Sequence, residues 1–109
     1  METEVLVCKL QTKDLKAFEY LYDQFSLPIH KIIKTATKDN DLAGNMLHDV
    51  FIKIYLNIDE FKFSKHSLLI WIIQLTINHI KDTLQLSKVK CLEMYRIQEY
   101  KLSLQFVGD

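Results

Sequence analysis

Residues 41–61 read DLAGNMLHDVFIKIYLNIDEF. Leu42, Met46, Leu47, Val50, Phe51, Ile54 and Ile58 recur at steps of three and four, which gathers them on one side of an α-helix. Asn45, His48, Asp49, Lys53 and Asn57 fall on the opposite side. The turn-rich residues 38–41, KDND, precede them, and Asp39, Asn40 or Asp41 can accept from the free N–H groups of the first turn. Gly44 weakens that turn by up to about 1 kcal/mol relative to Ala. A long amphipathic helix ending near Asn57 is expected, and the fold is built outward from it.

Upstream, TKDLKAFEYLYDQFS (12–26) carries Leu15, Phe18, Leu21, Tyr22 and Phe25 at helical spacing, with Thr12 or Asp14 as cap. Ser26-Leu27-Pro28 breaks this pattern, and Pro28 suits the first turn of a second helix over 28–38. That helix turns Ile29, Ile32, Ile33 and Ala36 inward and Lys31, Lys34 and Lys38 outward. Downstream, DEFKFSKHS (59–67) reads as a loop tied down by two Phe. Ser64 or Ser67 then caps a fourth helix over 67–86. The expected core is Phe18, Leu21, Phe25, Ile29, Ile33, Leu47, Val50, Phe51, Ile54, Trp71, Ile72 and Leu75.

The chain has 109 residues, 14 Lys+Arg against 14 Asp+Glu, two Gly and one Pro. One domain is expected, and an all-β sandwich, which needs frequent turn residues, is excluded. Zero net charge gives no general pull toward nucleic acid. Arg96 is the only Arg. Cys8 and Cys91 lie far apart, which fits a reducing cytoplasm rather than a disulfide framework. METEVLVCKLQTKD at the N-terminus lacks the charged and apolar regions of a secretory signal. LLIWIIQLTINHI (68–80) is too short for a membrane span of about 20 residues. The reading is an all-α bundle of about four helices over 1–87, with 88–109 as a tail or linker packed on it.

There is no phosphate-cradling Gly-rich loop, no GxSxG and no HExxH. His30, His48, His66 and His79 fall on different segments without ligand spacing. Asp59-Glu60 and Asp49 read as solvated charges rather than an acid/base pair. No catalytic residue, cofactor or metal is expected. Two regions stand out instead. One is the polar face Asp41, Asn45, His48, Asp49 and Lys53. The other is the loop from Phe61 to Ser67, where Lys62, Lys65 and His66 interleave with aromatics and hydroxyls ahead of Trp71. Rings that stack on bases beside cations that meet phosphates suit single-stranded nucleic acid.

In this order the pieces resemble region 2 of the extracytoplasmic-function sigma factors of bacterial RNA polymerase. LKAFEYLYDQF (15–25) is similar to the opening of that region. In 41–61, the positions Ala43, Leu47, Asp49, Val50, Phe51, Lys53, Ile54 and Phe61 match the family's core-binding helix. Trp71, Asn78 and Asp82 sit at the spacing of the helix that reads the −10 promoter element. The resemblance covers about residues 14–86. It implies a helical domain that docks on core RNA polymerase, helps melt the promoter and captures a flipped base. Asp41, Asn45, His48, Asp49 and Lys53 would then face polymerase. Lys62, Ser64, Lys65, His66 and Ser67 would line the base pocket, and Gln74, Asn78 and Lys81 would lie near the DNA backbone.

The chain departs from the family pattern at several positions. Gly44-Asn45 replaces a Glu-Asp pair, His48 a Gln, Tyr55 a Trp, and Gln74 and Ile77 two Arg. Fewer cations mean weak stand-alone promoter binding. Residues 87–109 are too few for the family's second, −35-reading domain. The resemblance implies a cytoplasmic transcription-initiation subunit whose partners are core polymerase, promoter DNA and an anti-sigma factor, with no membrane. The alternative reading is a degenerate sigma-like module for protein interaction or dimerisation. It draws on Leu69, Ile73 and Ile77, which share one face of the fourth helix opposite Trp71, Ile72, Leu75 and His79. That stripe needs a cover, either the apolar tail or a second copy in a homodimer.

Overall fold

A computed structural model of the chain describes residues 2–65 and 67–85. The element order is α1 (Thr3–Gln11), α2 (Leu15–Thr37), α3 (Asn40–Asn57), a 3-10 turn (Ile58–Glu60) and α4 (Leu68–Leu84). The described residues contain no strand, so the all-α bundle is the observed fold. The packing of α2 on α3 is the most extensive, and α4 lies against both.

The first difference from the sequence expectation is α1. Leu6, Val7 and Leu10 repeat at helical spacing and are buried in the common core. The helix ends in a Schellman motif: Asp14 N–H donates to Lys9 O and Lys13 N–H to Leu10 O. Lys13 occupies the left-handed position, φ 63°, where Gly is more usual. Asp14 at once caps α2 by accepting from Lys16 N–H.

The second difference is that α2 is continuous through Pro28. A proline in a helix interior lacks a donor and crowds the preceding turn, at a cost of about 3 kcal/mol. Here the apolar phase runs on across it: Ala17, Leu21, Pro28, Ile29, Ile32 and Ile33 are all buried on one side. A break at 26–28 would strip that side from the core, and its burial outweighs the lost bond.

The helix that opened the sequence reading follows its expected course. Asp39 caps α3, its carboxylate accepting from Asp41 N–H and Leu42 N–H at 3.0 and 3.1 Å. Ala43, Met46, Leu47, Val50 and Ile54 are buried, with Leu42 and Phe51 partly buried beside them. Ser67 caps α4 by accepting from Ile70 N–H at 3.2 Å.

The phase of α4 corrects the sequence reading. Leu68, Ile72, Ile73, Thr76, Ile77 and Ile80 face the core, and Thr76 satisfies its hydroxyl on the Ile72 carbonyl. Ile73 and Ile77 are therefore core residues, with Leu69 packed beside them, and they form no open stripe for a homodimer. Trp71, Leu75 and His79 are half-buried on the flank. Of the rest of the expected core, Leu21, Ile29, Ile33, Leu47, Val50, Ile54 and Ile72 are buried, while Phe18, Phe25 and Phe51 pack partly exposed against them. None of the helices described is long and apolar enough to cross a membrane. The proposed tail, 88–109, and Cys91 lie outside the described residues.

Candidate functional site

On α3, Asp41, Asn45, His48 and Ile52 succeed one another at steps of four, three and four, and all are exposed. The line is polar at its start and apolar at its end, where Tyr55 and Leu56 join Ile52 at the surface. Beside it, α2 and α3 enclose an open groove of about 620 Å³ lined by Leu15, Phe18, Tyr22, Phe51, Ile52 and Tyr55. Two ring pairs bridge the helices along it, Phe18–Tyr55 and Tyr22–Phe51, each 4.9 Å between centroids. Glu19, Asp23 and His48 complete the lining, so the carboxylates give this apolar surface an anionic rim. Near the groove, the Lys13 ammonium donates to the Tyr55 carbonyl and lies 4.4 Å from the Tyr55 ring centre.

Asp49 and Lys53, expected on the same outward face, lie toward α4 instead. Asp49 Oδ2 stands 3.6 Å from His79 Nε2, an ion-pair distance longer than a hydrogen bond. Its side chain remains 53% exposed, whereas that of His79 is 12% exposed. Burial, and after it the Lys53 charge, lowers the His79 pKa; Asp49 and Asp82 act in the opposite direction.

A second exposed region begins at the end of the 3-10 turn. Phe61 is buried, and its ring meets Phe63 at 4.9 Å and Trp71 at 5.6 Å, both near edge-on. Phe63 itself is exposed, among exposed Lys62, Ser64 and Lys65. From Trp71 the outer face of α4 continues through Gln74, Asn78 and Lys81, at steps of three, four and three. Asn78 is exposed, and Gln74 and Lys81 are half-buried. The Phe61–Trp71 contact sets the start of this α4 line beside the loop, forming a loop–α4 strip. Ser67 differs in role, since its hydroxyl oxygen is engaged by the helix cap. His66 lies outside the described residues.

Leu15 and Tyr22, expected on the apolar face of the first helix, are exposed, and so are Ile52, Tyr55 and Leu56. Their signal is an excess of apolar positions. Ile52, Tyr55 and Leu56 fall outside the phase that buries Val50 and Ile54, so one buried face cannot use them all. Among the described residues no group of three His, Cys, Asp or Glu side chains is arranged to hold a metal ion. Comparison of the chain with protein-family models, curated proteins and solved structures gives no match.

Proposed function

We propose that the chain acts as a sigma region 2-type domain, seating core RNA polymerase on the α2–α3 surface and single-stranded promoter DNA on the loop–α4 strip. The observation that carries this reading is the pairing of two exposed surfaces of different chemistry on one small bundle. The first is an apolar groove with a carboxylate rim, the form that accepts an amphipathic helix bearing cations at its edge. Asp41 and Asn45 extend it toward the α3 N-terminus. The second presents an exposed ring backed by two others, with lysines and hydroxyls around it, which suits stacked bases and phosphates. The α4 line Gln74, Asn78 and Lys81 would continue along the strand. Such a subunit works in the cytoplasm, and an anti-sigma factor would compete for either surface. Zero net charge and the shortage of Arg make its DNA binding weak until polymerase holds the strand nearby.

The apolar end of the α3 line also favours the second reading, a protein-interaction module without promoter reading. Both readings use the groove, and only the first uses Phe63. The test is co-migration of the full chain with purified bacterial core polymerase in gel filtration. The parent should co-migrate, and Ile52→Glu, at an exposed position, should not. A parent chain that elutes apart from polymerase overturns the proposal.

A further inference from the structure

We propose that Gln11 is the positioning residue of the base-stacking loop, an inference that rests on the single-strand reading above. Gln11 lies in the last turn of α1, far in sequence from the loop. Its side-chain amide donates to the carbonyls of Ile58 at 3.1 Å and Phe61 at 3.3 Å. An amide nitrogen has two N–H groups, so both are used. The two carbonyls bracket the 3-10 turn that leads into the loop, and the Ile58 carbonyl also accepts from Phe61 N–H at 3.1 Å. One part-buried side chain therefore fixes the backbone at Phe61, the ring against which both Phe63 and Trp71 rest.

Among the described residues, the loop is otherwise held by the Phe61–Phe63 and Phe61–Trp71 ring contacts and by one turn hydrogen bond. Its own backbone contributes Lys65 N–H to Lys62 O at 3.1 Å. A platform ordered before binding loses less entropy when a base stacks on it. Gln11 supplies that order from α1, whose Leu6, Val7 and Leu10 are anchored in the core. In this arrangement α1 serves the nucleic-acid surface without touching the strand.

The test uses the full chain with Gln11→Met, which keeps length but removes the donors, and Gln11→Lys, which restores donors without an acceptor. Binding of a single-stranded oligonucleotide of about 12 nucleotides, within the usual site size, is followed by fluorescence of Trp71, the only Trp. Amide hydrogen exchange is read in parallel. Gln11→Met should bind about tenfold more weakly, because the loop, without the Gln11 hydrogen bonds, must then be ordered as the base stacks. Its Lys62, Phe63 and Ser64 amides should exchange faster while those of Ile32 and Val50 keep the parent rate. Gln11→Lys should stay within about threefold of the parent, since it replaces those same bonds. Equal binding by Gln11→Met and the parent overturns the positioning role and leaves the single-strand reading intact. Equal losses in both variants, or faster exchange at Ile32 and Val50, also overturn it, because packing or global stability would then be the cause. A parent that does not bind even at low salt, where phosphate contacts are strongest, or a Phe63→Ala variant that binds as the parent does, overturns the single-strand reading and the role of Gln11 with it.

Discussion

Truncating Ile73 to Ala tests the phase of α4, on which the loop–α4 strip depends. Ile73 has no exposed area and belongs to the common core. The change deletes three carbons, and at about 0.8 kcal/mol for each buried one the transfer loss is about 2.4 kcal/mol. Incomplete collapse of the cavity raises the cost to about 3–4 kcal/mol, inside the range of about 2–5 found for Ile→Ala. That is a large share of the roughly 0.05–0.15 kcal/mol per residue that holds such a domain together. At about 4–8 °C per kcal/mol for a domain of this size, the midpoint should fall by at least about 12 °C. The assay is thermal unfolding followed by helical circular dichroism. Leu56→Ala is the control: its side chain is 66% exposed, and the change should stay within about 0.5 kcal/mol. Ile73→Lys should not yield a folded chain, because it buries an unpaired charge. Equal midpoints for Ile73→Ala and Leu56→Ala, or a folded monomeric Ile73→Lys, would refute the assignment of α4 faces.

Three further outcomes follow from the geometry. Asp39→Ala removes the acceptor for two first-turn N–H groups of α3 and should cost about 1–2 kcal/mol in urea unfolding. His79 is held below its ordinary pKa of about 6.5, so between the two values the unfolded chain binds more protons than the folded one. Its contribution is complete above about 6.5 and is lost as pH falls toward the lower folded value; His79→Gln should flatten the stability profile over that window. Phe63→Ala should weaken oligonucleotide binding by about 1–3 kcal/mol, the usual worth of one stacked base. Its unfolding midpoint should move little, since the ring is exposed.

Much of this architecture is legible in the residues, and the failures have physical causes. The α3 helix carries one dominant apolar phase and an Asp cap, so its span and buried face follow directly. In α2, proline's local preference competes with an apolar phase that continues from Leu21 to Ile33, and the phase prevails because burial of the whole face is the larger energy. The α1 signal was present in Leu6, Val7 and Leu10, but nine residues are marginal as an isolated helix and depend on tertiary packing. The segment 68–80 is apolar nearly all round, so periodicity alone cannot select its buried side. Of the candidate sites, the loop is suggested by residue type, and the α4 line Gln74, Asn78 and Lys81 by the family resemblance alone. The groove is not, because it is made by Tyr22–Phe51 and Phe18–Tyr55 contacts between two helices. Gln11 is invisible for the same reason: its partners are backbone carbonyls 47 and 50 residues away.

The most direct measurement of the central claim is transcription in a purified system. Core RNA polymerase, the full chain and DNA from upstream of its own coding sequence are combined, and permanganate reactivity of unpaired thymines is read together with transcript formation. A melted −10 region and a transcript should both require the parent chain. Ile52→Glu should lose both with polymerase recruitment, and Phe63→Ala should keep polymerase but melt poorly. A parent chain that joins core polymerase yet opens no DNA and starts no transcript would contradict the account and leave only the interaction module.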